Sequence, residues 1–150
     1  MQVHTSRRRF IAGIVTLVAM AAFPFKLFAR AEQAFEAEDT DVVYRELFGD
    51  MPIVDSSDIK LKIPDIAENG AVVPVSISTS IAGVQAIYVI IDENPNPLSA
   101  SFELGPSSPP DVSVRVKIGK SSMVRALVKT SDKIYMRGQE VKVTIGGCGG

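Results

Sequence analysis

"DVSVRVKI", residues 111–118, decides the fold. Val112, Val114, Val116 and Ile118 alternate with Ser113, Arg115 and Lys117. Successive side chains of a strand point to opposite faces, so a period of two describes a strand with one buried and one wet face. The flanking segments carry the same signature. Downstream, Gly119-Lys120 reads as a tight hairpin turn into "SMVRALVKT" (122–130), and "GQEVKVTIG" (138–146) follows. Upstream lie "LSASFEL" (98–104), "VQAIYVIID" (84–92), "AVVPVSIST" (71–79) and "IKLKI" (59–63). About seven short strands joined by frequent turns predict an all-β, immunoglobulin-like antiparallel β-sandwich. The Cys…Trp…Cys core of antibody domains is absent.

Three details refine this expectation. Asn69-Gly70 is a turn signal ahead of the 71–79 strand, and Pro74 inside that strand predicts an edge or a bulge. The 84–91 segment is too apolar for a strand with one wet face. It is either central and covered on both faces, or part of a subunit interface. "ENPNP" and "GPSSPP" read as rigid surface loops.

Ahead of the strands, "AEQAFEAEDTDVVYRELFGD" spaces Phe35, Val42, Val43, Leu47 and Phe48 as a short helix would. The reading places that helix at 41–48, with Thr40 as its cap and Gly49 as its end. Before it come "SRRRFI" (6–11), the apolar "AGIVTLVAMAAFPF" and "KLFARAEQA". A basic region, an apolar run and a small-residue site make an export signal. Arg7 and Arg8 fit a twin-arginine pair, and Ala29-Arg30-Ala31 places cleavage after Ala31, with Ala34 as the alternative. The apolar run is short for a membrane span and is interrupted by Pro24 and Lys26. The expected compartment is the bacterial periplasm. The expected organisation is a signal peptide at 1–31, an N-terminal helical segment at 32–57, a β-sandwich at 58–145 and a C-terminal arm at 146–150.

Composition excludes several functions. Residues 32–150 carry 11 basic against 17 acidic side chains, a net of −6. Phosphate contacts need clustered Lys and Arg, and base stacking needs aromatics, so nucleic acid is a poor partner. The single His4 lies in the signal. The mature chain then has one Cys and no His, which leaves no Ser-His or Cys-His pair and no His/Cys zinc site. "DENPNPLSASFE" (92–103) approaches a calcium loop through Asp92, Asn94, Asn96 and Glu103, but Pro97 stands where that loop needs glycine.

What remains is the C-terminal "VTIGGCGG". Its Cys148 is the only cysteine, and Gly146, Gly147, Gly149 and Gly150 surround it. Glycine adds no bulk and allows nearly every backbone conformation, so the sequence describes a slim arm bearing a thiol. No Lys, His or helix start adjoins the thiol to activate it. An unpaired cysteine in an exported protein points to intermolecular bonding or a reactive thiol. Two uses fit: a covalent carrier that presents its cargo to other proteins, and a thiol redox sensor that forms mixed disulfides through Cys148.

The chain resembles the SoxY family, the sulfur carriers of thiosulfate oxidation. The terminal "GGCGG", the twin-arginine-type "SRRRFI" and "IKLKIPDIAENGAVVPVSI" (59–77) carry the resemblance. It implies a non-enzymatic β-sandwich that pairs with a cysteine-free SoxZ-like β-sandwich subunit. It also implies a cycle held on Cys148. A haem-containing SoxXA-like enzyme joins thiosulfate oxidatively to the cysteine. A SoxB-like hydrolase with a manganese centre releases sulfate. Where present, a SoxCD-like sulfur dehydrogenase oxidises the remaining persulfide. The resemblance implies no cofactor on the carrier itself beyond covalent sulfur adducts on Cys148.

Overall fold

The computed structural model describes residues 32–144. The proposed signal, with Arg7, Arg8 and the Ala31 site, and the arm residues Gly146, Gly147, Cys148, Gly149 and Gly150 lie outside the described residues.

The described residues form helix α1 (Thr40–Phe48) and nine strands. The strands are β1 (Ile53–Asp55), β2 (Ile59–Lys62), β3 (Ile66–Ala67), β4 (Val73–Thr79), β5 (Ala86–Ile91), β6 (Leu98–Glu103), β7 (Asp111–Val116), β8 (Ser122–Lys129) and β9 (Ile134–Val143). Two sheets face each other. The larger runs β1-β9-β8-β5-β6, with β3 also beside β9, and the smaller runs β2-β4-β7. This is the expected β-sandwich with a short helix. All seven expected strands are present, and β1 and β3 are additions. Each is only two or three residues long, too short to show a period, and each pairs with β9 in parallel rather than antiparallel.

The core between the sheets follows the alternation. Val73, Val75 and Ile77 of β4 meet Ile87, Val89 and Ile91 of β5 and Val124, Ala126 and Val128 of β8. Val116 and Ile118 are buried there too, with Val112 and Val114 packed alongside. Full burial of each such Val or Ile side chain stabilises the fold by about 1.5–3 kcal/mol.

The apolar 84–91 segment has a physical explanation. β5 lies between β8 and β6, and all six of its residues are buried. Ile87, Val89 and Ile91 face the smaller sheet, while Ala86, Tyr88 and Ile90 face Val43 and Phe48 of α1 and Ala34 of the preceding helical turn. The chain covers this strand on both faces itself, so its apolarity does not mark a subunit interface.

Phe48 meets Tyr88 edge-on, with ring centroids 5.3 Å apart. Asn96 Nδ2 donates to the carbonyls of Glu36 and Ala37, tying the β5–β6 loop to the segment before α1.

Two local expectations are corrected. The helix cap is Asp39, not Thr40. Asp39 is extended (φ −122°, ψ 133°) and its Oδ1 accepts from Asp41 N at 2.7 Å, whereas Thr40 is already helical. Gly49 ends the helix at φ 59°, donating to Arg45 O.

Gly119-Lys120 is not a hairpin. β7 pairs with β4, and β8 pairs with β5 and β9, so residues 117–121 cross from one sheet to the other. The crossing is pinned by Asn94, which donates to Lys117 O and accepts from Gly119 N. Both sheets face one core, so alternation looks the same in either and does not reveal the crossing.

Pro74 sits where its strand has one neighbour. β4 lies between β2 and β7, but pairing with β2 stops at Ser76. At Pro74 only Arg115 of β7 is opposite, so the missing N–H falls at a local edge.

Candidate functional site

The candidate site is the end of the sandwich where β9 terminates, a few residues before Cys148 in the sequence. β9 is ten residues long, and its ladder with β8 ends at Ser122 opposite Val141. The next three amides are held by groups outside it. Lys142 N donates to Asp65 O at 2.9 Å, Val143 N to Ser121 Oγ at 2.9 Å and Thr144 N to Ala67 O at 3.1 Å. The bonds alternate sides, as successive amides of an extended strand must. Residues 65–67 hold one side and Ser121 the other.

The 63–70 loop is itself braced. Gln139 Nε2 donates to Ile63 O at 3.1 Å and to Asp65 Oδ1 at 2.8 Å. Asn69 closes the following turn, its Oδ1 accepting from Ala71 N and its carbonyl from Val72 N. The Asn69-Gly70 turn expected from sequence is therefore present. Ile118 N donates to Gly70 O at 2.7 Å. A β-carbon on Gly70 would collide with the Ile118 carbonyl oxygen and lie 3.0 Å from Val143 Cγ1. Glycine is required by this close approach.

Lys117, Lys120 and Lys142 are exposed at this end, and Lys120 Nζ is 2.7 Å from Glu93 Oε2. Ile66 on the bracing loop and Val72 just after it are more than half exposed.

The calcium-like stretch serves the fold. Asp92 receives two hydrogen bonds from Arg125 Nε at 3.0 Å and one from Nη2 at 2.8 Å. That pairing raises the Arg125 pKa against its partial burial. Asn94 and Asn96 hold the backbone contacts described above. Glu103 lies at the far end of β6 and accepts from Tyr88 Oη at 3.4 Å. Burial foremost, and then the Glu103 charge, push the Tyr88 phenol far above its ordinary value. Among the described residues no group of three His, Cys, Asp or Glu side chains gathers at metal-binding distance.

The arm expected at 146–150 lies outside the described residues. Sequence reading found the Asn69-Gly70 turn but missed Ser121, Asp65, Ala67 and Gln139. Three of these act through one hydroxyl or two backbone carbonyls, which leave no pattern in the sequence. Gln139 lies within an expected strand, where its reach to another loop is not visible.

Fold and site together define a β-sandwich whose last strand lies just before Cys148 in the sequence. Residues 44–148 match the family described as sulfur oxidation protein SoxY, and the match ends on Cys148. The sulfur carrier protein SoxY of Chlorobium limicola f thiosulfatophilum is similar, with 41% identity and a TM-score of 0.65, covering 70% of this chain and 96% of that one. The chain belongs to the SoxY family of sulfur oxidation proteins. The superoxide reductase neelaredoxin of Ignicoccus hospitalis shares the fold at 17% identity and a TM-score of 0.54, covering 61% of this chain and 94% of that one. Comparison with curated proteins returns no match.

Proposed function

We propose that this chain is a periplasmic carrier that holds thiosulfate-derived sulfur on Cys148 and presents it to partner enzymes. The observation that carries this reading is the family match, which runs through β9 and its braced end to Cys148. A thiol without its own activator suits a carrier, because each partner supplies the chemistry. Tethering also supplies effective concentration, so a weak docking surface is enough.

The Cys148 thiol and thiosulfate form a sulfur–sulfur bond, giving a cysteine S-thiosulfonate, a proton and two electrons. The SoxXA-like haem partner takes the electrons. The SoxB-like partner adds water across the terminal sulfur–sulfur bond, releasing sulfate and leaving a persulfide. Where a SoxCD-like dehydrogenase operates, water supplies oxygen and the enzyme takes electrons as the outer sulfur becomes a sulfonate. A second hydrolysis then frees the thiol. A SoxZ-like subunit completes the carrier. The Arg7-Arg8 signal exports the chain, and Ala34 favours cleavage after Ala31, because its methyl group is buried beneath α1 in the mature fold.

Replacement of Cys148 by Ser in the mature chain, with its partner subunit, tests the proposal. Thiosulfate turnover by the reconstituted system is expected to be abolished while the β-sheet signal of the fold is unchanged. Undiminished turnover would refute the carrier role. A redox sensor would instead yield only mixed disulfides with small thiols, or disulfide-linked homodimers, and no sulfur adducts.

A further inference from the structure

We propose that Ser121 and the backbone of residues 65–67 form a clamp that fixes the root of the arm at Thr144, and so sets the depth to which Cys148 reaches into a partner. This rests on the carrier reading above. The observation behind it is that β9 outlasts its β8 ladder. Past Val141, Lys142, Val143 and Thr144 are held by Asp65 O, Ser121 Oγ and Ala67 O in turn. β3 is two residues long and pairs only with Lys142 and Val143 in its register. Gln139, and the close contact of Gly70 with Ile118, keep β3 in place.

The clamp has a length consequence. Cys148 is four residues beyond Thr144, so a root at Thr144 gives a reach of about 14 Å when extended. Each residue released from the clamp adds about 3.5 Å. A tether that matches the depth of a partner's site maximises delivery, and a longer one dilutes it. Ser121 is thus a positioning residue for the thiol, acting on it through the strand that carries the arm.

The test uses the full mature chain with its partner subunit. Ser121→Ala removes the acceptor of Val143 N, and Ser121→Thr restores one. Gly70→Ala pushes the bracing loop off the end of β9, and Ser121→Ala keeps the test valid if Gly70→Ala fails to fold. Amide exchange at Val143 and Thr144 is expected to rise about fivefold in Ser121→Ala, the effect of one net hydrogen bond, and to recover in Ser121→Thr. Reaction of Cys148 with a small aromatic disulfide is expected to be unchanged. Deletion of Gly146 shortens the reach and is expected to slow delivery to the hydrolase about tenfold, with Ser121→Ala in the same chain recovering part of the loss. Unchanged exchange at Val143 and Thr144, or a shortened arm that gains nothing from Ser121→Ala, would overturn the clamp. Exchange is read without sulfur chemistry, so failure of the carrier reading shows itself separately, as full turnover in Cys148→Ser.

Discussion

Gly70 and Ile118 meet backbone to backbone. The Ile118 amide donates to the Gly70 carbonyl at 2.7 Å, and the Ile118 carbonyl oxygen occupies the space that a β-carbon on residue 70 would need. This contact joins the turn after β3 to the crossing between the sheets, at the end of the molecule where β9 terminates. Overpacking a closed contact typically costs about 1–3 kcal/mol. Gly70→Ala is therefore expected to lower stability by that amount in urea denaturation. A variant as stable as the parent would show that the contact relaxes freely.

Helix α1 is held on the outer face of the larger sheet by apolar contact. Phe48 is only 5% exposed and stands edge-on to Tyr88. Phe48→Ala removes a buried aromatic ring and is expected to cost about 3–5 kcal/mol. It should also expose Tyr88 and Ile90, increasing the binding of a hydrophobic dye. A loss below about 1 kcal/mol, or no added dye binding, would contradict the role given to the helix.

Asp92 and Arg125 form a two-point ion pair whose side chains are 23% and 30% exposed. Asp92→Asn keeps the shape but leaves the guanidinium without its countercharge. Such a change is expected to lower stability by about 1–3 kcal/mol. The midpoint of urea unfolding should fall with little change in slope. If the midpoint does not move, solvent screens this pair as it does a surface pair.

The raised phenol of Tyr88 gives a pH dependence. Burial first, and Glu103 second, hold its proton in the folded chain, whereas the unfolded chain releases it near 10.0. Above that pH the unfolded state binds fewer protons than the folded state, so stability falls as pH rises. Tyr44 is raised as well, chiefly by burial, and adds in the same direction. The urea midpoint should drop as pH rises above about 10, and drop less in Tyr88→Phe. Equal slopes for the two chains would contradict the assignment.

Much of this is readable in the residues. The alternation from Val112 to Ile118 reports one buried face, and the unbroken apolarity of β5 reports two. The sequence does not say what covers the second face, because α1 reaches it from more than 30 residues away. Sheet membership is also hidden, since strands of either sheet show the same alternation, and the crossing at Gly119-Lys120 looks like a hairpin. β1 and β3 pair with β9 over only two or three residues, too short a run for alternation to mark them as strands. At the site, Cys148 stands out by being unique, whereas Ser121 acts through one hydroxyl and has nothing to distinguish it.

The most direct test of the account is the mass of the C-terminal peptide bearing Cys148. The mature protein and its partner subunit would be incubated with thiosulfate and the haem enzyme of the system. A thiosulfonate adduct on Cys148 is expected, converted to a persulfide once the hydrolase is added. A peptide whose mass stays that of the free thiol throughout, while thiosulfate is consumed, would contradict it.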